Sequence, residues 1–160
     1  MTIEAPPLSK RRLKLWLRLL RLTRTVEADL RDYLRREHET TLPRFDVMAA
    51  LYRRRETMTM SELSRLLLVS NGNATAVVDR LERDGLARRS PAPSDRRTVH
   101  VSLTEVGIAA FEAMAQGHEA RLDSLLSGLD SQDLDALRDI LRRALPDPEK
   151  AAQAGKQEAP

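Results

Sequence analysis

The stretch TMSELSRLLLVSNGNATAVVDRLERDGLARR, residues 59–89, decides how this chain folds. Thr59 and Glu62 form a capping box: the Thr hydroxyl can accept from the backbone N–H three residues on, and the carboxylate can reach back. Leu63, Leu66 and Leu67 supply the inner face of a short helix at the spacing a helix requires. The VSNG stretch at 69–72 breaks that helix, and Ser70 stands where a second helix needs its N-cap. In the second helix Ala74, Val77, Val78 and Leu81 share one face, while Asn71, Asn73, Thr75, Ala76, Asp79, Arg80 and Arg83 share the other. Gly85 is the residue expected to end it in the left-handed conformation. Two helices joined by a tight turn, the second showing small and polar side chains outward, make a helix-turn-helix.

After Gly85 the hydrophobic period changes from 3.6 to 2. Residues 86–89 and 98–103 read as strands, with Val99, Val101 and Leu103 alternating with Thr98, His100 and Ser102. Residues 90–95, SPAPSD, read as a proline-bearing loop, too long for a two-residue turn. A two-stranded ribbon is marginal alone and must lean on the helices before it. The hairpin carries Arg88, Arg89, Ser94, Asp95, Arg96 and Arg97. Arginine at such a tip suits a narrow minor groove, where negative potential is concentrated. Asp95 would orient Arg97 by a charge-assisted hydrogen bond. On the second helix, Asn side chains can read adenine edges and Arg can read guanine in a major groove. The small residues at its start, Ser70 to Asn73, allow close approach of its N-terminus to phosphate.

Working outward, Leu13, Trp16, Leu17, Leu20, Val26, Leu30, Tyr33 and Leu34 recur at helical spacing from Leu8 to about Glu37. Lys10, Arg11, Arg12, Lys14, Arg18, Arg21, Arg24, Arg31, Arg35 and Arg36 outnumber Glu27, Asp29 and Asp32 there, so this helix is strongly basic. Pro43 opens a second helix with Phe45, Met48, Leu51 and Tyr52 as its apolar stripe. Thr104 caps a later helix with Val106, Phe111, Met114, Leu122 and Leu125 on one side. Asp130 or Ser131 caps the last, with Leu134, Leu137, Ile140, Leu141 and Leu145. The expected architecture is mainly α: about six helices plus a two-stranded β wing. Residues 1–7 and the Pro-, Ala-, Gln- and Glu-rich tail at 146–160 read as disordered. Residues 42–103 form the expected DNA-binding lobe within a domain over 8–145.

Composition narrows the function. Charged residues make up 32% of the 160, and aromatics only 3%, so Leu, Val, Ala and Met must fill the core. The absence of cysteine removes disulfides, thiol sensing, cysteine nucleophiles and cysteine-based zinc sites. His38, His100 and His118, the three histidines, lie far apart and have no metal-ligand spacing. No Gly-rich phosphate loop, nucleophile elbow or His-Glu-x-x-His helix is present, so no enzyme activity and no cofactor are expected. No secretory signal or membrane span is legible, which places the expected protein in the cytoplasm. A winged helix used only for protein contact, and a metal-responsive regulator, stay as alternatives. The clustered wing arginines speak against the first.

The segment 60–70, MSELSRLLLVS, the segment 78–86, VDRLERDGL, and Asp95-Arg96-Arg97 followed by 101–107, VSLTEVG, resemble the MarR family of winged helix-turn-helix regulators. The resemblance covers almost the whole chain apart from its two tails. It implies a homodimeric transcriptional regulator, by default a repressor, that binds a near-palindromic double-stranded operator. It points to Ser70, Asn71, Asn73, Thr75, Ala76 and Arg80 for the major groove, and to Asp95 and Arg97 in the wing for the minor groove. Ala76 departs from members with a long polar residue there, which leaves base preference open.

One module offers little area, and a pair reading a near-palindrome doubles the contact. As in the family, helices within 8–38 and 104–145 are the candidates for dimerisation, through Leu13, Leu17, Leu134, Leu137 and Leu141. Acids outnumber bases from Glu112 to Glu149, so that region and the basic first helix have opposite charge across a possible seam. Residues 15–25, 40–48 and 70–73 resemble members that control aromatic-acid catabolism, some of which respond to hydroxycinnamoyl-CoA thioesters such as p-coumaroyl-CoA. The resemblance therefore implies a small aromatic or CoA-thioester effector. Arg24 and Arg44 would meet its anionic groups, and Trp16, Leu20, Phe45 and Met48 would line its acyl part. A packing role in the core or dimer stays open for Trp16.

Overall fold

A computed structural model describes residues 6–54, 57–92 and 95–144. The elements run α1 (Leu8–His38), α2 (Leu42–Arg54), β1 (Met58–Thr59), α3 (Met60–Leu66), α4 (Asn71–Arg83), β2 (Ala87–Ala92), β3 (Asp95–Leu103), α5 (Glu105–Leu125) and α6 (Ser131–Ala144). The mainly helical class with six helices is as expected. Ser94 and the tail calls lie outside the described residues. The chain divides into two compact units, Met1–Leu122 and Asp123–Pro160. No helix among the described residues is long and apolar enough to cross a membrane.

The core of the first unit is aliphatic and methionine-rich. Leu34, Val47, Met48, Met58, Leu63, Val78, Leu81 and Val101 are completely enclosed. α1 enters this core only near its C-terminus, where Leu30, Tyr33 and Leu34 occupy the i, i+3, i+4 positions of one face. The Tyr33 hydroxyl donates to the Met114 carbonyl at 3.0 Å. Arg121 of α5 pairs with Asp29 at 3.3 Å and Glu37 at 3.0 Å, and its guanidinium lies 4.8 Å over the Tyr33 ring. These ties fix the C-terminal half of α1 on α5. α2 is buried on more than the expected stripe, since Val47 and Ala50 are enclosed alongside Phe45, Met48 and Leu51. Its first residue is Leu42, so Pro43 stands one position later than expected. Its missing N–H is still harmless in the first turn.

The sheet has three strands in the order β1-β3-β2, not two. β1 is only two residues long and pairs Met58 with Val101 and Thr59 with His100. β2 and β3 pair further than the alternation in the sequence predicts. Ser90 faces His100, Pro91 faces Val99, and after an irregularity Ala92 faces Asp95. The expected loop over 90–95 is therefore mostly strand. Pro91 is tolerated because β2 lies at the sheet edge, where a missing N–H costs no ladder bond.

Two further expectations change. Leu66 is exposed, and Ser64 is buried in its place, donating to the Ser61 carbonyl at 3.1 Å. On α5, Val106 is exposed and Gly107 is buried instead, because that turn lies directly against the Leu86 backbone. In the second unit, α6 buries none of its residues. Leu134, Leu137, Ile140 and Leu141 are all exposed.

Candidate nucleic-acid interface

The local chemistry read from the sequence builds the helix-turn-helix directly. Thr59 Oγ1 accepts from the Glu62 N–H at 3.2 Å, and Glu62 accepts from the Thr59 N–H at 2.8 Å, closing the capping box. The Thr59 backbone N–H and then its hydroxyl, both donating to the carboxylate, hold Glu62 below its ordinary pKa. α3 ends with Val69 N–H on the Ser64 carbonyl at 3.0 Å and Leu68 N–H on the Arg65 carbonyl at 3.3 Å, a Schellman closure. Leu68 takes the left-handed position there, with φ of 54°. Ser70 then caps α4 by accepting from the Asn73 N–H at 3.2 Å. The buried Ser64 hydroxyl donates to Asn71 Oδ1, so part of Asn71 is spent on fixing the turn. α4 closes in the same way as α3, with Leu86 N–H on the Leu81 carbonyl at 2.8 Å and Gly85 at φ 71°.

The two faces of α4 divide as the sequence required. Ala74, Val78 and Leu81 are buried and Val77 is partly so. Asn71, Gly72, Asn73, Thr75, Ala76, Arg80 and Arg83 are exposed. A side chain at Gly72 would meet nothing within 4 Å, so the N-terminal turn is open to an approaching duplex. The Arg80 guanidinium has no hydrogen bond or ion pair among the described residues, which leaves it available.

The hairpin arginines separate into distinct environments. Asp95, Arg96 and Arg97 lie on β3, toward the far end of the hairpin. Arg88 faces a groove with Tyr52, Thr57, Ser102, Ile108 and Glu112, and its Nε donates to Ser102 Oγ at 3.2 Å. Arg89, on the opposite face by strand alternation, is bound to α4. It pairs with Asp79 at 2.7 Å and with Glu82 at 2.7 Å. Two carboxylates of α4 thus share the Arg89 guanidinium.

Two concave regions border α4. A groove of about 310 Å³ is lined by Pro43, Asp46, Val47, Val69, Asn73 and Arg80, among others. Asp46 is open to solvent along this groove yet crowded by protein. That desolvation, with the nearby Glu27 charge and against Arg31, raises its pKa to about 6. Nothing in the sequence marked Asp46. A second cavity of about 570 Å³ is lined by Arg31, Arg35, Thr41, Pro43, Arg44 and Arg80, with others. Arg44 pairs there with Asp84 at 2.6 Å, while its buried Nε has no hydrogen-bond partner.

The expected effector residues are not assembled within one chain. Phe45 and Met48 are core residues. Phe45 stacks on His118 with ring centroids 4.3 Å apart and meets Phe111 at 5.3 Å. Burial pushes the His118 pKa down. Trp16 is 57% exposed, so it is not a core aromatic of the single chain. It stands about 22 Å along α1 from Arg31, at a rise of about 1.5 Å per residue. Leu20 and Arg24 lie on the intervening turns. Only Arg44 of that set borders the arginine-lined cavity. The expected dimerisation residues Leu13, Leu17, Leu134, Leu137 and Leu141 are all exposed apolar side chains. His38 meets the Tyr33 hydroxyl and His100 meets the Thr57 hydroxyl, each at 2.8 Å. Among the described residues no cluster of three potential ligands is placed to hold a metal.

A capped helix pair, an outward polar helix face and a hairpin fastened beside it define a winged helix-turn-helix. The MarR family model matches residues 40–99. The chain is 36% identical over 118 residues to the uncharacterized HTH-type transcriptional regulator YkoM of Bacillus subtilis, covering 74% of this chain and 75% of that one. It is 26% identical over 136 residues to the HTH-type transcriptional regulator MhqR of the same organism, covering 85% and 92%. Among solved structures it matches a mutant MarR from E. coli complexed with operator DNA. There the TM-score is 0.75 and the identity 27%, over 88% of this chain and 100% of that one. CouR from Rhodococcus jostii RHA1 bound to p-coumaroyl-CoA shares the fold, with a TM-score of 0.76 at 21% identity over 83% and 93% of the two chains. These relatives are transcriptional regulators, not enzymes. The chain belongs to the MarR family and is a DNA-binding transcriptional regulator.

Proposed function

We propose that this regulator binds a near-palindromic operator as a homodimer and represses until a small aromatic effector releases it. The observation that carries the reading is the exposed face of α4, with Asn73, Thr75, Ala76 and Arg80 presented outward beside an anchored hairpin. In this reading Ser70 and Asn71 set the entry of α4 into the major groove, and Arg96 and Arg97 reach the minor groove. Asp95 orients Arg97. Residues 42–103 act as the DNA-binding lobe, and residues 8–38 and 104–145 supply dimer contacts. The exposed leucines of α1 and α6 support this, because a second copy would remove them from water. The protein works where its operator is, in the cytoplasm.

The effector belongs to the aromatic acids or their CoA thioesters, and the regulated genes to aromatic catabolism. Support comes from the fold shared with CouR and from the arginine-lined cavity beside α4, where an anion would meet Arg31, Arg35, Arg44 and Arg80. An effector there lowers DNA affinity only by as much as it prefers the conformation that does not fit DNA. A gel shift on a duplex selected by this protein from a random-sequence pool tests the DNA half. Binding should weaken steeply between low and moderate salt, because phosphate contacts release counterions. Titration calorimetry with p-coumaroyl-CoA and with free p-coumarate tests the effector half. Heat from neither ligand, with the selected duplex still bound, would remove the aromatic-effector assignment and leave the DNA assignment standing.

A further inference from the structure

We propose that Arg89 is a positioning residue that locks the hairpin to the recognition helix and so sets the spacing of the two DNA-contacting elements. The inference rests on the interface proposed above and assigns a role to a cation that the interface does not use directly.

Glu82 holds Arg89 twice, accepting from its backbone N–H at 3.1 Å and from its guanidinium at 2.7 Å. Asp79 takes the other branch of the fork at 2.7 Å. Asp79 and Glu82 are three residues apart on α4, so they stand on one face and converge on a single planar cation. Lysine, a point charge without a fork, could not bridge both in this way. The Arg89 side chain is three-quarters removed from solvent, so water screens these pairs less than an exposed one.

The placement matters as much as the pairing. Covalently, α4 and β2 are joined through residues 84–86, and the Gly85 closure with the Leu86–Thr104 bonds holds the base of the hairpin. Arg89 ties the hairpin to α4 farther out along β2. Among the described residues no other ion pair links α4 to either long strand. In this proposal the clamp adds to the backbone ties at the base and sets the angle of the outer hairpin against α4. The clamp also neutralises Asp79, which neighbours Arg80 and would otherwise face the phosphates as a bare carboxylate.

The discriminating variants are Glu82→Gln and Asp79→Asn, which keep Arg89 and remove a negative charge. Simple electrostatics predicts tighter binding to a polyanion. The clamp predicts the opposite for the selected duplex, a loss of about three- to tenfold. Binding to a scrambled duplex should stay equal or strengthen. Arg89→Ala should lose a similar factor on the selected duplex without changing the slope of log affinity against log salt. A lost phosphate contact would instead lower that slope by about 1. Arg89→Ala combined with Glu82→Gln should be no weaker than Arg89→Ala alone. Hydroxyl-radical footprints should show wing protection lost while protection under α4 persists.

Arg80→Ala and Arg97→Ala run in parallel. If neither weakens the selected duplex, the proposed interface itself fails. If they do, and Glu82→Gln binds as well as or better than wild type, the clamp alone is overturned. A lowered salt slope in Arg89→Ala would likewise overturn it, by making Arg89 a direct phosphate contact. If Arg89→Ala does not fold, the two carboxylate variants decide the question.

Discussion

Replacing Gly107 with alanine should loosen the joint that holds the hairpin against the helical core. A Cβ at Gly107 would lie 1.9 Å from the Leu86 carbonyl oxygen, where ordinary contact begins at 3.4 Å. The shortfall is about 1.5 Å and falls on backbone, which cannot turn aside as a side chain can. Leu86 is held from both directions. Its N–H reaches the Leu81 carbonyl at 2.8 Å, and its carbonyl accepts from the Thr104 N–H at 3.1 Å. Thr104 Oγ1 donates to the Gly85 carbonyl at 2.7 Å and accepts from the Gly107 N–H at 3.0 Å. Opening this joint gives up two or three hydrogen bonds at about 1 kcal/mol each. Overpacking adds about 1–3 kcal/mol of strain. Alanine regains up to about 1 kcal/mol over glycine in a helix. The balance is a loss of about 2–6 kcal/mol, or a drop in Tm of roughly 5–25 °C for a chain of this size. Circular dichroism melts at fixed protein concentration read this directly. An alanine variant that melts at or above the wild-type temperature would refute the close approach of α5 to Leu86.

Other changes follow from the same physical terms. Leu68 is 87% exposed and held at φ 54°, so Leu68→Gly should relieve left-handed strain at little loss of burial. The expected gain is about 0.5–1 kcal/mol, read as a higher urea midpoint, after the extra chain entropy of glycine is subtracted. Asp46 has a folded pKa of about 6, above its ordinary 3.8, so its ionisation opposes folding once the pH exceeds both values. Asp46→Asn should therefore raise Tm at pH 7.5 and raise it much less at pH 4. An equal gain at both values would contradict the desolvation argument. Leu137→Asp and Leu141→Asp should convert dimers to monomers in sedimentation while leaving the helical signal of the first unit intact. Unchanged sedimentation would remove α6 from the dimer contact.

Local chemistry was the most legible part of this sequence. The Thr59–Glu62 box, the Ser70 cap and the Gly85 closure each depend on partners within five residues, and all are present; the inward face of α4 was legible from its helical periodicity. What escaped depended on distant partners. β1 is two residues long and exists only because Met58 can pair with Val101. Ser64 is an exception: it is buried in place of Leu66 with near partners, its hydroxyl meeting the Ser61 carbonyl and Asn71, and hydrophobic periodicity does not weigh such bonds. Arg88 and Arg89 are adjacent cations in the sequence. Strand alternation sends one to Ser102 and the other to α4, and the acid pair at 79 and 82 was the available signal. The effector set failed to converge for a similar reason. Phe45 looks like a pocket residue until its partners His118 and Phe111, far along the chain, enclose it, and Met48 is fully buried. The exposed leucines of α1 and α6 have helical periodicity without a place in the chain's own core, which sequence alone cannot distinguish from ordinary burial.

The most direct test of the DNA-binding account is an amide NMR titration of the full chain with the selected duplex. The account predicts that shifts and broadening concentrate at Asn73, Thr75, Ala76 and Arg80 and along the outer hairpin at 96–98, with little change around Tyr33 and Arg121. Perturbation centred on another surface, with the α4 amides unmoved at saturating DNA, would contradict it.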